Sequence, residues 1–182
     1  RAQRNGDHLP ALDANLHQRL LDLAAGSQAS LFMVLQAALG ALLTRLGAAP
    51  DVAIGSPIAG RTDTALGDLI GCFVNMLVLR TDTSANPSFR DLLARVRSAN
   101  FAAYAHQELP FERLVEDLNP ERSLARHPLF QVMLAFLNTS RIEFKMPGLQ
   151  TALEPVDTVT AQYDLSFYLN ERRAPDGTPQ GV

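Results

Sequence analysis

Leu12, Leu16, Leu20 and Leu23 recur at helical spacing, a stripe that predicts a helix capped by Asp13 and ended near Gly26. Ser30 then serves as the N-cap of a second run through Phe32, Leu35, Leu39, Leu42, Leu43 and Leu46, with Gly47 as its stop. This helix is apolar nearly all round, which predicts burial between two layers. Val52-Ala53-Ile54 changes the period to that of a short interior strand, ended by Gly55-Ser56-Pro57. Residues 60–68 are polar and read as an ordered loop. Ser88 with Asp91 opens a third helix in the manner of a capping box. Its stripe is Phe89, Leu92, Val96, Ala99 and Ala103, and Arg90, Arg95 and Arg97 mark its wet side. It runs out near His106 and Gln107. Pro110 starts a short helix carrying Phe111, Leu114, Val115 and Leu118, which Asn119-Pro120 stops. Residues 129–138 alternate, with Phe130, Val132, Leu134 and Phe136 on one face of an interior strand. Two more strands are expected at 149–156 and at 164–171, the latter with Leu165, Phe167 and Leu169 inward. Residues 172–182 read as a polar loop cut short.

The run Ile70-Gly71-Cys72-Phe73-Val74-Asn75-Met76-Leu77-Val78-Leu79-Arg80 reads as a buried strand entered through a glycine. Alternation puts Phe73, Asn75, Leu77 and Leu79 on one face and Val74, Met76, Val78 and Arg80 on the other. Asn75 therefore stands where packing prefers a hydrophobe. An unpartnered buried amide costs about 1 to 3 kcal/mol, so Asn75 must bond to backbone, to water or to an arriving group.

Composition narrows the function classes. At 182 residues, 47% hydrophobic, the chain is long enough for one domain with a sizeable core. Sixteen basic against nineteen acidic residues give a charge of -3, without the basic surplus of a duplex binder, so no nucleic-acid partner is expected. Residues 31–46 are shorter than the roughly 20 residues of a membrane span, and Gln36, Gly40 and Arg45 interrupt them, so no membrane contact is expected either. Cys72 is the single cysteine. With no secretory segment ahead of the first helix, it predicts a reducing, cytoplasmic setting. It reads as a small apolar filler, and no metal cluster is formed.

Three ordered motifs carry a resemblance. Residues 70–80 resemble the glycine, phenylalanine, valine, asparagine motif, with its closing arginine, of the condensation domains of nonribosomal peptide synthetases. His106-Gln107-Glu108-Leu109-Pro110-Phe111-Glu112 resembles the next motif of that family. Arg122-Ser123-Leu124-Ala125-Arg126-His127-Pro128-Leu129 resembles the one after, with His127 at the usual asparagine. Ala59-Gly60-Arg61 and Leu31-Phe32-Met33-Val34-Leu35 also fit. The resemblance spans nearly the whole chain and identifies it with the C-terminal half, truncated at both ends. It implies an α/β fold, a chloramphenicol acetyltransferase-like half-domain whose mixed β-sheet is covered by helices. An N-terminal subdomain would complete a tunnel for two thioesters delivered by peptidyl carrier proteins, beside adjacent synthetase domains. The substrates would ride on phosphopantetheine, and no cofactor would bind directly. The family's His-His-x-x-x-Asp-Gly motif is absent: His8, His17, His106 and His127 are isolated. The resemblance therefore implies an upstream catalytic histidine, no catalytic residue here and an inactive fragment. A silent module that recruits a partner enzyme, an epimerisation or heterocyclisation relative and a free-standing acyltransferase stay open beside condensation.

Within that frame Asn75 either borders the tunnel and holds a substrate or pantetheine amide, or ties its strand to a neighbouring loop. Gly71 serves backbone geometry, and Phe73 packs the strand. Arg61 either pairs with a carboxylate across the cleft or attracts carrier phosphate, the first being preferred, while Arg80 closes the motif. His106 sits at a helix end where it binds carbonyls. Gln107 and Glu112 tether the loop and the helix start, Glu112 beside the positive helix end. Pro110 sets that start, Phe111 is core, and Arg122, Arg126 and Pro128 belong to the structural motif that follows.

Overall fold

Side-chain caps set where the helices begin. In the computed structural model, which describes residues 11–61, 63–121, 123, 126–137, 148–149 and 161–182, Asp13 Oδ1 accepts the Leu16 N–H at 2.8 Å and starts α1 (Ala14–Gly26). Ser30 Oγ accepts the Met33 N–H at 3.2 Å and starts α2 (Leu31–Arg45). Ser88 Oγ accepts the Asp91 N–H at 3.2 Å and starts α3 (Phe89–Tyr104), while its own hydroxyl donates to Asp91 Oδ2 at 2.6 Å. Pro110 precedes α4 (Phe111–Leu118), which Asn119 closes in the left-handed region at φ 40°.

Four strands, β1 (Asp51–Ile58), β2 (Asn75–Asp82), β3 (Val132–Phe136) and β4 (Leu165–Leu169), form one sheet in the order β2-β1-β3-β4. β1 and β2 are antiparallel; β1 with β3 and β3 with β4 are parallel. On one face Val52, Ile54, Leu134 and Phe167 pack under Leu39 of α2, whose opposite side meets α1 and α3 through Val34, Ala37, Leu93 and Val96. The expected helix between layers is thus α2, although its last turn leaves the layer and exposes Leu42 and Leu46. The other face carries Met76, Val78, Met133 and Ala135, covered by Phe130, Tyr163 and Phe111. Gly55 makes this second layer possible, because a β-carbon there would run into the Phe130 ring.

Buried polar groups cross the first interface. Gln36, fully buried, donates from Nε2 to Thr81 Oγ1 at 3.1 Å and accepts from Asn100 Nδ2 at 2.6 Å, linking α2, β2 and α3. Both Gln36 amide groups and the Asn100 Nδ2 gain partners, while Asn100 Oδ1 is buried without one among the described residues.

Several expectations are corrected. The strand expected at 70–80 begins only at Asn75 and runs to Asp82, on the sheet edge, while Ile70, Cys72 and Val74 lie exposed ahead of it. Cys72 is therefore no apolar filler. β1 does not stop at Gly55 but continues through Pro57; the ladder to β3 covers only Ile54 and Gly55, so proline occupies a stretch of β1 with one open edge. Phe130 precedes β3 and packs with Met133 and Ala135 rather than with Leu134. Leu165 is exposed, on the strand that is outermost among the described residues. The strand expected at 149–156 lies outside the described residues except for Leu149, which is exposed.

The end of the chain is also structured. β5 (Arg172–Arg173) and β6 (Pro179–Gly181) form a hairpin. Leu12 and Val182 exchange backbone bonds of 3.0 and 3.2 Å. Beneath it, His17 of α1 is fully buried, with Nδ1 accepting the Gly181 N–H at 3.2 Å and Nε2 2.9 Å from Glu171 Oε1. Acceptance at Nδ1 leaves the neutral ring's proton on Nε2, facing the carboxylate.

Candidate functional site

Residues 60–74 lead into β2, and their path is fixed by Gly60 and Arg61. Gly60 adopts φ 64°, and a β-carbon there would strike the Phe73 carbonyl, so glycine is required on both counts. The Arg61 guanidinium donates to the carbonyls of Leu66, Leu69 at 3.0 Å and Gly71 at 3.2 Å. It also lies 4.4 Å from the Phe73 ring centroid, a cation–π distance. Its anchoring partners are thus backbone carbonyls. Gly71 contributes one of these carbonyls, and Phe73 supplies the ring. Arg80 points away at the far end of β2, where it pairs with Asp51. Hydrogen bonding to Asp51, reinforced by its charge, holds the guanidinium further toward its protonated form.

At the start of β2 the Asn75 amide is fully committed. Nδ2 donates to the carbonyls of Gln107 at 2.9 Å and Leu109 at 2.8 Å. Oδ1 accepts from the Phe111 N–H at 3.1 Å and from its neighbour Met76 N–H at 2.9 Å. The 106–111 segment is therefore clamped onto β2 by one side chain, which satisfies an orphan donor of the first turn of α4. The His106 ring and the Pro110 ring are exposed; the Gln107 carbonyl, rather than its side chain, makes the tether to Asn75.

Beside Asn75 opens a cavity of about 600 Å³, walled by Met76, Phe111, Glu112, His127, Pro128 and Tyr163. Rings form its floor. Phe111 stacks on His127 with centroids 5.3 Å apart, His127 meets Phe130 at 4.1 Å, and Phe130 stacks on Tyr163 at 5.2 Å. Burial among these rings pushes the His127 imidazole below its ordinary pKa, so it is neutral at physiological pH, and its Nδ1 has no hydrogen-bond partner among the described residues. Burial also raises the Tyr163 phenol, which stays protonated.

The structure gathers Asn75, Phe111, Glu112 and Pro128 around this cavity and leaves Arg80 at a distance along β2. Arg126 is exposed, and Arg122 lies outside the described residues. Tyr163 and Glu116 were not anticipated from sequence; a tyrosine immediately ahead of the strand expected to start at residue 164 was the available signal. Among the described lining residues no hydroxyl or thiol is hydrogen-bonded to His127 in the manner of an activated nucleophile. The arrangement can hold and orient a group.

The model of the condensation domain family matches residues 3–175. The chain is 58% identical over 171 residues to a dimodular nonribosomal peptide synthase of Bacillus subtilis (strain 168), covering 94% of this chain and 7% of that protein. It thus spans a small fraction of this curated relative's length. Among solved structures, the X-domain from teicoplanin biosynthesis superposes with a TM-score of 0.86 at 37% identity over 94% of this chain and 39% of that one. A complex of the X-domain and OxyB from the same biosynthesis gives 0.84 at 37% identity, over 94% and 37%. The mixed sheet covered by helices is the chloramphenicol acetyltransferase-like arrangement expected from the sequence.

Proposed function

The chain belongs to the condensation domain family of nonribosomal peptide synthetases, and from that premise we propose that it is the C-terminal half of a domain that joins two carrier-bound thioesters by an amide bond. In that reaction the acceptor amine bonds to the donor carbonyl carbon, the carbon–sulfur bond breaks, and the departing thiol takes up a proton. The reacting groups need alignment, help with the amine proton and dipoles for the oxyanion. This half supplies scaffold and alignment. Asn75, Gly71, Phe73 and Arg61 shape one border of the substrate tunnel, Arg80 braces β2 behind it, and the proton transfer falls to a histidine motif upstream of Arg1. The observation that carries this reading is the clamp by which Asn75 ties β2 to the 106–111 segment, since it joins two of the family's motifs in space.

The partners are peptidyl carrier proteins with phosphopantetheine-borne substrates, the adjoining synthetase domains and the N-terminal subdomain. The test joins the chain to its upstream sequence, loads both carriers and assays dipeptidyl thioester; an intact histidine motif with no product would refute the reading. A second reading is a silent module that recruits a partner enzyme. It is favoured by the 37% identity to an X-domain, a domain whose complex with OxyB is also among the similar solved structures. A degraded histidine motif upstream would select it.

A further inference from the structure

His17 is fully buried and has no task in acyl transfer. Both of its ring nitrogens are nevertheless committed. Nδ1 accepts the Gly181 N–H of β6 at 3.2 Å, and Nε2 carries the proton that faces Glu171 Oε1 at 2.9 Å. Beside the ring, the reciprocal bonds between Leu12 and Val182 complete the seam that joins β6 to the start of α1. Of these bonds, only the one at Nδ1 can be reversed by a proton. Gly181 fits the seam closely: at φ 119° it lies so near the Leu12 carbonyl that a β-carbon would strike it, and the Arg172 guanidinium lies on the same side.

The charges around the ring come from the hairpin and the residue ahead of it. Glu171 is shared between His17 and Arg173, and Arg172 lies against Gly181. β6 has no charged residue, and the Asp176 carboxylate in the turn accepts the Thr178 N–H at 2.9 Å. On α2 the only charged residue is Arg45, in the last turn. On α1, Asp13 is taken up in the cap, and Arg19 and Asp22 are exposed.

From this geometry we infer that His17 is a proton-operated lock on the β5–β6 hairpin: the neutral ring docks β6 against α1, and the protonated ring releases it. A proton on Nδ1 turns the acceptor into a donor, so the bond from Gly181 is lost and two N–H groups face each other. Nε2 keeps its contact with Glu171, which confines the release to β6. The Glu171 carboxylate favours the charged ring whether β6 is docked or not, whereas the Gly181 N–H opposes it only in the docked state. Docking is therefore fully present while the ring is neutral and weakens as pH falls. Whole-chain unfolding removes both influences together and senses only their difference.

The test is NMR of the full chain between about pH 8 and about pH 5.5, within the range where imidazoles titrate. Nitrogen shifts of the His17 ring report protonation, and hydrogen-exchange protection factors of the Gly181 and Val182 amides report docking. Protection at these two amides should fall roughly tenfold in step with protonation of Nδ1, as loss of one hydrogen bond implies. Amides of the β1–β2 ladder should keep theirs. His17→Gln, whose amide offers a donor and an acceptor without titrating, should hold the protection of Gly181 level across the range. Should this variant not fold, the comparison of ring and amides in the unsubstituted chain decides by itself. A ring that protonates while Gly181 stays protected would overturn the inference, as would a ring that stays neutral throughout. So would equal loss of protection from the β1–β2 ladder, or the same pH-dependent loss in a folded His17→Gln variant.

Discussion

Asn75 fills all four hydrogen-bonding positions of its amide with backbone partners, so its two simplest replacements should differ in an informative order. Asn75→Ala removes the bonds but admits water, because the site is only partly buried, and should cost about 1 to 3 kcal/mol in denaturant unfolding. Asn75→Asp keeps the shape but turns a two-proton donor into an acceptor facing the carbonyls of Gln107 and Leu109. It should be the more destabilising of the two, and a milder aspartate would contradict the clamp. His127 gives a pH signature. Its folded pKa lies below the ordinary value of 6.5 because burial disfavours the charged ring. The unfolded chain therefore binds more protons just below that pH, and stability is lost as pH falls through 6.5 toward the folded value. His127→Gln should flatten this part of the stability profile, leaving only the carboxylate-driven loss at lower pH.

Among the elements, the helix starts were legible because their causes are local. Asp13, Ser30 and Ser88 each cap within three residues of themselves, and the structure shows each bond. The start of β2 was not, because residues 70–74 alternate like a strand while Arg61, nine or more positions upstream, draws the carbonyls of Leu69 and Gly71 out of any ladder. The role of Gly55 was hidden for a similar reason: the ring that forbids a side chain there belongs to Phe130, far along the chain. Gly55→Ala should accordingly destabilise by about 1 to 3 kcal/mol through overpacking. Adding Phe130→Leu should recover part of the loss, and strictly additive effects in the double variant would contradict the packing assigned to this pair. At the cavity, Asn75 stood out as polar in an apolar run, and its two possible uses could not be separated without the 106–111 segment in view. Tyr163 gave little signal, since its place against the His127 and Phe130 rings is a fact of tertiary packing.

For the whole molecule, the two faces of the sheet are unlike. One is closed by three helices with a buried polar network. The other is covered by rings and one short helix, and the loop ahead of β2 exposes Leu69, Ile70 and Val74. If these residues meet an N-terminal half, the isolated chain should bind a hydrophobic dye, and the variant Ile70→Ser with Val74→Ser should bind less of it. Dye binding unchanged by the pair would place the sticky surface elsewhere. The hairpin at the other end is locked over the buried His17, a contact that joins the first helix to the last strand. The central claim is that this chain completes a condensation domain, and one measurement meets it directly: mass spectrometry of the carriers after the chain, joined to its upstream sequence, is mixed with a loaded donor and a loaded acceptor. The expected result is a dipeptidyl mass on the acceptor carrier, lost when the upstream histidine motif is replaced. An acceptor that keeps only its own aminoacyl group, with that motif intact and the protein folded, would contradict it.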